Sequence, residues 1–389
     1  MTTAVIVDAI RTPSGKGKPG GQLSNLHPTE LLSAVLRGLI DRTELDPALV
    51  DDVIGGCVGQ AGEQALNITR SAVLGAGFPE AVPATTIDRQ CGSSQQAAHF
   101  AAHGVMAGAY DIVIACGVES MSRVPMGTAP LGKDAFGPGV AARYPDGLVG
   151  QGISAELISS RWKLDRATLD EFAARSHARA AAADFTSEIL PVAIGPDSWV
   201  SADETVRPST DVEGLGRLKP SFYDERVTER FPEIDWRITP GNSSPLTDGA
   251  SAVLIMSEGK AAALGLRPRA RFHSFAVTGS DPMLMLTGVV PATQKVLDKA
   301  GLSLEDIDTY EVNEAFAPVP LVWQYEFGAD PERLNPRGGA IALGHPLGGS
   351  GTRLLTTMLN HLEQTGGRYG LQTMCEGGGM ANATIIERL

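Results

Sequence analysis

The feature that most constrains the fold of this chain is an internal repeat. A stretch near the start, residues 35–42, resembles residues 292–299, and the similarity continues at the same offset beyond both stretches. The further matching pairs at that offset are Leu45 with Leu302, Val50 with Ile307, and Asp51 with Asp308. Amphipathic helices can look alike by chance, but a constant offset over several elements favours duplication. The chain is therefore predicted to contain two copies of one α/β unit.

Strands and helices alternate within the first copy. Short apolar runs at residues 5–9, 53–57 and 112–116 predict buried strands, each closed by glycine or a polar turn. Between the first two runs, residues 29–42 carry apolar side chains at the spacing of one helix face. This alternation indicates an α/β layered sheet.

A segment of different composition and periodicity separates the two copies. Residues 121–145 are rich in glycine, proline and methionine and have no periodicity, whereas residues 167–183 predict an alanine-rich helix. Such a segment can supply loops that cover a site. We therefore predict an N-terminal half at 1–118, a loop domain at 119–247 and a C-terminal half at 248–389. The strand that opens the last span is a candidate to complete the N-terminal half.

Composition excludes several classes of protein. A chain of 389 residues with 43% hydrophobic and 20% charged residues is typical of globular proteins. Its net charge of -13 argues against a general nucleic-acid surface but allows a local basic patch for an anionic ligand. The four cysteines form no C-x-x-C pair, so we expect no zinc site, and no apolar run reaches the roughly 20 residues of a membrane span. Neither end resembles a targeting signal, and we expect a soluble protein of the reducing cytoplasm.

A cysteine beside a helix start is the first candidate for chemistry. Cys91 precedes Gly92 and two serines, and a run rich in small residues follows as far as Ala109. Either Ser93 or Ser94 is expected to cap the helix, which would put Cys91 at its positive N-terminus, where a thiolate is stabilised. The alternative is a buried structural cysteine.

Three later windows add groups suited to acyl transfer. Asn313 follows a strand-like run, and His345 lies in the glycine-dense stretch 338–351. Cys375 precedes one glutamate and then three glycines. Taken singly, the asparagine could cap a helix, the histidine could be a satisfied loop residue, and the glycines could form a turn. Together with Cys91 they supply a nucleophile, a second acid or base, and an oxyanion site.

The four windows together resemble the thiolase family, the acyl-CoA C-acyltransferases. They match the cysteine loop, the Asn-Glu-Ala-Phe box, the Gly-His-Pro-x-Gly-x-Ser-Gly box and the terminal Cys-x-Gly-Gly-Gly box, in family order across essentially the whole chain. The resemblance implies an α/β fold of two duplicated layered halves, α-β-α-β-α, with a loop-domain insertion in the first half. It also implies acyl-CoA and CoA as substrates, no cofactor, no nucleic-acid partner, and a homodimer or homotetramer.

The resemblance implies a role for each site residue. Cys91 would be the acylated nucleophile, His345 would hold its thiolate and help polarise the thioester oxygen, and Asn313 would position a water in that oxyanion hole. The backbone N–H groups of Cys91 and Gly377 would form a second hole for the acyl carbonyl. Cys375 would protonate the leaving acetyl-CoA enolate and then activate the incoming CoA thiol. Because a free cysteine has a pKa of about 8.5, the nucleophile is expected to need a lowered pKa.

Four further positions bear on the substrate. Ser244 matches the family's pantetheine-contacting serine. Lys219 falls where the family often places a basic residue near the nucleotide end of CoA. In the covering loop, Gly150 and Gln151 stand where the family often carries histidine or methionine, which argues against a strictly four-carbon substrate.

The leading interpretation is therefore thiolysis of 3-ketoacyl-CoA in the degradation of fatty acids or of steroid and ring side chains. The nearest alternative is an acetoacetyl-CoA thiolase that acts in the biosynthetic direction. A decarboxylating ketosynthase would carry a second histidine where this chain has Cys375. A non-catalytic protein that binds CoA esters or lipids on the same scaffold would need no second thiol.

Overall fold

The computed structural model describes residues 2–389, which fold into twelve strands and thirteen α-helices. The first group of elements is β1 (Ala4–Arg11), β2 (Gly15–Lys16), α1 (Pro28–Thr43), β3 (Asp52–Gly56), α2 (Ile68–Gly75), β4 (Ala84–Ile87), α3 (Ser93–Ala107) and β5 (Ile112–Ser120). The middle group is α4 (Gly137–Arg143), α5 (Gln151–Arg161), α6 (Arg166–Ala182), β6 (Val192–Gly195), β7 (Ser198–Val200), α7 (Val212–Gly216) and α8 (Glu225–Arg230). The last group is β8 (Thr247–Ser257), α9 (Glu258–Ala263), β9 (Ala270–Gly279), α10 (Val289–Ala300), β10 (Thr309–Val312), α11 (Pro318–Phe327), α12 (Ala340–Leu343), α13 (Ser350–Thr365), β11 (Tyr369–Glu376) and β12 (Met380–Arg388).

One mixed sheet of ten strands runs through the molecule. Its order is β10-β11-β12-β9-β1-β8-β5-β3-β4, and β2 pairs with β8. The pairs β3–β4, β3–β5 and β10–β11 are parallel, and the others are antiparallel. The strands predicted at 5–9, 53–57 and 112–116 coincide with β1, β3 and β5 to within one residue or a short extension.

The sheet contains the same strand order twice, read outward from the β1–β9 junction. One half runs β1-β8-β5-β3-β4, and the other runs β9-β12-β11-β10 and ends at an isolated parallel bridge between Tyr310 and Leu334. Helices α1 and α10, and helices α3 and α13, occupy equivalent places in the two halves. The predicted duplication is therefore confirmed, with β8 paired to first-half strands across the insertion. The division into three domains at the predicted residues stays a prediction.

The apolar side chains form three main layers of core around the sheet. One cluster packs α1 and α2 against the first-half strands, and another packs α10 and α11 on the second half with residues of α5 and α6. Between them, α3 and α13 share a cluster with strands of both halves. This arrangement gives the predicted α-β-α-β-α layering. No helix within residues 2–389 combines the length and the apolar character needed to cross a membrane.

The two central helices begin in direct contact, and this contact brings the two sequence boxes together. A Cβ atom at Gly351, in the first turn of α13, would lie 2.1 Å from the backbone nitrogen of Gln95 in the first turn of α3. Only glycine permits so close an approach of two backbones. The N–H of Thr352 also donates to Ser94 Oγ, at 3.0 Å. The segments that precede the two helices, with Cys91 and His345, are consequently held at the same end of the central layer.

The insertion is tied to the first strand by a buried ion cluster. The Arg11 guanidinium, 1% exposed, donates to Glu188 at 2.6 Å and to Asp203 at 2.7 and 3.0 Å. The backbone of Arg11 also bonds to the insertion at Glu188 and Leu190. Removing one partner of such a buried cluster leaves an uncompensated charge, which costs about 3–5 kcal/mol. The insertion is therefore anchored at its middle as well as at its ends.

Candidate active site

Cys91 lies in the turn that leads into α3 and is 3% exposed. The preceding residue, Gln90, has a left-handed backbone with φ of 49°. Neither serine caps the helix as predicted, because Gly92 is the N-cap. Ser93 Oγ instead accepts the Arg89 N–H at 2.9 Å and donates to the Gln90 carbonyl, so it fixes the turn itself. Ser94 Oγ is used to hold α13.

His345 is held by hydrogen bonds on both its backbone and its ring. The His345 N–H donates to Thr247 Oγ1 at 2.9 Å, and Nδ1 lies 2.5 Å from Ser350 Oγ. Ser350 Oγ donates its proton to the Pro346 carbonyl, so it can only accept from the ring. Nδ1 therefore carries the proton in the neutral ring, and Nε2 carries a lone pair. Burial lowers the pKa of His345 to about 3, which keeps the ring neutral at pH 7.

Asn313 stands beside that lone pair. It follows β10, and its own N–H donates to the Thr373 carbonyl of the neighbouring β11 at 3.0 Å. Its Nδ2 lies 3.4 Å from His345 Nε2, and its Oδ1 is buried without a partner within the described residues. A buried polar atom without a partner is available to a ligand or a water. The amide and the imidazole together thus form a small polar pair with free hydrogen-bonding capacity.

Cys375 lies at the end of β11, fully buried, opposite Ala381 of β12. The turn after it touches the Cys91 turn. A Cβ atom at Gly92 would lie 2.0 Å from Glu376 Oε1, and one at Gly377 would lie 2.9 Å from Gln90 Oε1. The two cysteine loops are therefore packed against each other.

The pKa values of both thiols are raised, contrary to the expectation for Cys91. Burial raises the pKa of Cys91 to about 12, although a hydrogen bond with Gln151 and the Cys91 backbone N–H act in the opposite direction. Burial, followed by the nearby charge of a Cys91 thiolate, raises the pKa of Cys375 as well. The prediction of a lowered pKa is wrong for the resting structure, because desolvation outweighs the helix terminus. Both thiols are neutral at pH 7 and must lose their protons to a base during a reaction.

A cavity of about 460 Å³ opens onto Cys91. The first half and the insertion both line it, through Val58, Glu119, Met121, Met126, Ala135 and Gln151 among others. Residues of the glycine- and methionine-rich stretch therefore form part of the wall of this cavity. Apolar walls around one reactive thiol suit an acyl chain.

The two predicted coenzyme contacts lie in different surroundings. Ser244 is half-buried, and both its N–H and its Oγ donate to the carbonyl of Ala315, at 3.0 and 3.1 Å, two residues after Asn313. Lys219 is exposed between α7 and α8, and its side chain makes no hydrogen bond or ion pair among residues 2–389. The structure thus places Ser244 beside the site and gives Lys219 no contact with it.

Sequence reasoning missed the carboxylate that supports the His345 segment. Glu119, fully buried at the end of β5, accepts the N–H groups of Val58, Gly59 and Gly348 at 2.8–3.0 Å and the side chain of Gln64 at 2.9 Å. Burial raises the pKa of Glu119, and these four donors oppose that shift. A single glutamate at a strand end has no local signal, because its partners come from distant parts of the chain. Ser350 was visible as the serine of the Gly-x-Ser-Gly stretch, but its role was not predicted.

Family comparison covers nearly the whole chain. The family described as thiolase, N-terminal domain, matches residues 4–259, and the family described as thiolase, C-terminal domain, matches residues 266–388.

Among curated proteins, a steroid 3-ketoacyl-CoA thiolase, FadA6, of Mycobacterium tuberculosis is 48% identical over an alignment that covers all of this chain and 95% of that protein. A 3-ketoacyl-CoA thiolase of Pseudoalteromonas translucida is 45% identical, and one of Salmonella typhimurium is 44% identical, each with both chains fully covered. The geometry of two packed cysteine loops, a neutral histidine and a neighbouring amide agrees with this relationship. This chain belongs to the thiolase family and is an acyltransferase.

Proposed function

We propose that this chain cleaves 3-ketoacyl-CoA with CoA, which gives acetyl-CoA and an acyl-CoA shortened by two carbons. The observation that carries the proposal is the contact of two buried cysteine loops, one before a helix and one at a strand end. One thiol can form a covalent bond while the other moves protons, and Claisen cleavage of a thioester needs both actions.

In the first half of the reaction, the Cys91 sulfur attacks the ketone carbon of the substrate. His345 would accept the thiol proton at Nε2, the unprotonated ring nitrogen. The tetrahedral intermediate then collapses, the bond between C2 and C3 breaks, and its electron pair leaves as the enolate of acetyl-CoA. Cys375 gives its proton to that enolate, so that acetyl-CoA departs and Cys91 carries the acyl group.

In the second half, CoA replaces the acetyl-CoA that has left. The Cys375 thiolate takes the proton of the CoA thiol, and the CoA sulfur attacks the acyl carbon on Cys91. The bond between that carbon and the Cys91 sulfur breaks, and His345 returns its proton to the sulfur. The shortened acyl-CoA leaves, and every group of the chain is restored to its starting protonation state.

Two oxyanions form during this cycle and need hydrogen-bond donors. The protonated His345 and a water held by Asn313 would stabilise the oxygen of the substrate thioester as it becomes an enolate. The N–H groups of Cys91 and Gly377, from the two touching loops, would stabilise the oxygen on the acyl carbon. Donors fixed in advance at such a place are worth about 2.7–4 kcal/mol each in comparable enzymes.

The coenzyme is a substrate, and no resident cofactor is required by this mechanism. Ser244, half-buried beside Asn313, would contact the pantetheine arm, and the exposed Lys219 would lie near the nucleotide end. Both assignments rest on the family pattern, with the position of Ser244 as structural support.

The degradative direction is supported by the covering loop and by the relatives. By their names, the relatives act on 3-ketoacyl-CoA, and one of them acts on a steroid 3-ketoacyl-CoA. A Cβ atom at Gly150 would meet nothing within 4 Å, and Gln151 lines the cavity of Cys91. The cavity of about 460 Å³ that Gln151 lines suits chains longer than four carbons, including the bulky side chains of steroids.

The oligomer and the compartment follow from the same proposal. A homodimer or a homotetramer is the family pattern, and β4, the edge strand that leads to the Cys91 turn, is only half-buried in one chain. A reducing compartment such as the cytoplasm suits the chemistry, because both thiols must stay reduced to work. Light scattering after gel filtration tests the first statement, and a chain that remains monomeric would contradict it.

The activity itself is tested with Cys91→Ser. This variant should lose both thiolysis and the acyl adduct, because a serine hydroxyl is far less ionised than the thiol that it replaces. Absorbance of the 3-ketoacyl-CoA, with and without CoA, measures thiolysis, and intact mass measures the adduct. Cys116→Ala, which changes a buried thiol of β5 outside the site, is the matched control and should keep both. A full acyl adduct on the serine variant would refute the assignment, and loss of substrate without added CoA would indicate a hydrolase instead.

A further inference from the structure

A second cavity lies where the insertion meets the start of β8, and the mechanism above does not use it. Its volume is about 370 Å³. Lys16 of β2 pairs with Thr247, the first residue of β8, and Leu246 stands immediately before that residue on the cavity wall. Thr247 in turn accepts the N–H of His345 on its hydroxyl. The cavity is therefore one residue removed, along the backbone, from the support of the active site.

Three cationic side chains line this cavity in a chain whose net charge is -13. Lys18 and Arg207 are exposed, and neither side chain has an ion-pair partner or a side-chain hydrogen bond within residues 2–389. Lys16 Nζ lies 3.6 Å from Glu204 Oε1, so one carboxylate offsets one of the three charges. The other oxygen of that carboxylate accepts the N–H groups of Lys16 and Gln22, at 2.8 and 2.9 Å. The cavity therefore keeps a local positive charge in an acidic protein, which favours an anionic ligand.

Thr205, which lines the same cavity, has a buried hydroxyl without a hydrogen-bond partner within the described residues. The residue is 2% exposed, and the atom without a partner is its Oγ1. Such an atom loses its bonds to water without regaining them in the protein, which is unfavourable unless a ligand supplies the partner. The lining also has an apolar part, formed by Pro245 and the half-exposed Leu246. The cavity thus combines positive charge and a hydroxyl with an apolar surface.

We propose that this cavity binds a phosphate group carried by an organic ligand, with Lys18 and Arg207 on the phosphate oxygens and Thr205 Oγ1 as an additional donor. Cationic side chains and a hydroxyl are the groups that hold phosphate oxygens in proteins, and the apolar wall would contact the organic part. Two sources carry this chemistry, the phosphates of the CoA substrate and a separate phosphorylated small molecule. The first source rests on the proposed function, because it places part of CoA beside the site.

The test uses the full-length protein and two sets of variants. Lys18→Gln combined with Arg207→Gln removes the unpaired charges, and Thr205→Val removes only the hydroxyl at nearly constant shape. Lys260→Gln combined with Arg267→Gln is the matched control, because it removes one lysine and one arginine at the other end of β8 and changes the net charge equally. Thr205→Val should not lower the melting temperature, since it removes a buried group that has no partner.

The probes are adenosine 3′,5′-bisphosphate and pyrophosphate for binding by calorimetry, and CoA and a 3-ketoacyl-pantetheine thioester for kinetics. If CoA supplies the phosphate, the charge variant should bind the bisphosphate roughly tenfold more weakly and raise KM for CoA by a similar factor, with kcat unchanged. Turnover of the pantetheine thioester, which lacks phosphate, should stay at the wild-type level when CoA is saturating. If a separate molecule supplies the phosphate, the charge variant should bind pyrophosphate about tenfold more weakly while its KM for CoA stays constant.

Other outcomes overturn the inference. If Lys18→Gln combined with Arg207→Gln and the control variant have equal effects, binding depends only on the net charge of the protein and not on this cavity. Wild-type protein that binds neither probe, with unchanged KM in the charge variant, would show that the cavity holds no phosphate. Because turnover of the pantetheine thioester reports the chemistry alone, a failure of this inference is distinguishable from a failure of the proposed reaction.

Discussion

Replacing Glu119 with glutamine tests how firmly the segment after His345 is held. The carboxylate receives two nitrogen donors on each oxygen. Oε2 accepts the N–H groups of Val58 and Gly348, at 3.0 and 2.8 Å, and Oε1 accepts Gly59 N–H and Gln64 Nε2, both at 2.9 Å. A glutamine side chain keeps only one of these acceptors and puts an NH₂ group in place of the other.

The size of the effect follows from the donors left without an acceptor. If the NH₂ group replaces Oε2, two buried backbone N–H groups are orphaned, at about 1–3 kcal/mol each. In the reverse orientation the NH₂ group replaces Oε1. It then leaves the N–H of Gly59 without an acceptor and faces the NH₂ group of Gln64. A flip of the Gln64 amide gives no relief, because its oxygen already accepts the N–H of Ser120 at 2.7 Å. Glu119→Gln should therefore lower the free energy of unfolding by about 2–6 kcal/mol.

Denaturation in urea measures the stability, and steady-state kinetics measure the site. Because Gly348 lies three residues after His345, we expect kcat to fall while KM stays near its wild-type value. The matched control is Glu63→Gln, which breaks a partly exposed pair with Arg123 and should cost at most about 1 kcal/mol. An unfolding free energy of Glu119→Gln no lower than that of the control would refute the argument from orphaned donors.

Three further predictions concern the proposed catalytic groups and the acyl pocket. Cys375→Ala should stop the exchange of acetyl-CoA α-protons with deuterated water, which NMR measures. Cys91 should still accept an acyl group in this variant. Exchange at the wild-type rate would contradict the proton-transfer role of Cys375. His345→Ala should move the pH profile of Cys91 alkylation by iodoacetamide upward, because the imidazolium that forms when His345 takes the thiol proton stabilises the thiolate and opposes the rise in pKa that burial causes; an unmoved profile would exclude that ion pair. Wild-type kcat/KM should be higher for a six-carbon or bulkier 3-ketoacyl-CoA than for acetoacetyl-CoA, since each buried methylene is worth about 0.8 kcal/mol. Gly150→His with Gln151→Met should narrow the preference toward four carbons, and a wild type that is fastest on acetoacetyl-CoA would favour the biosynthetic alternative.

The sequence predicted the architecture because the relevant signals are local or periodic. The apolar runs that became β1, β3 and β5 and the amphipathic run that became α1 are each complete within a few residues. The constant offset between the two copies then predicted the repeated strand order. The four sequence boxes identified the side chains that the structure gathers around the two cysteine loops. Their individual roles stay predictions until the variants are measured.

What the sequence could not supply is the set of contacts between distant segments. Glu119 is joined to Gly348 across more than half of the chain, and Ser94, expected to cap its own helix, is used to hold Thr352. The prediction of a lowered pKa for Cys91 failed for a related reason. The helix start is visible in the sequence, whereas the burial that outweighs it depends on how the insertion and the second half close over the thiol.

The pairing of β1 with β8 has a consequence for the order in which the chain folds during synthesis. Ala4 pairs with Ser257, and Arg11 pairs with Ser251, so the whole insertion is made before the first strand gains this neighbour. Contacts this distant in sequence form slowly, because a long loop must close before they yield any stability. All residues of β1 are buried in the finished fold. During that interval, however, β1 has an unpaired edge on the ribosome. Such an edge is a site for misassembly and chaperone binding, and the second copy, whose strands β9 to β12 follow one another with no such interruption, carries a much smaller risk.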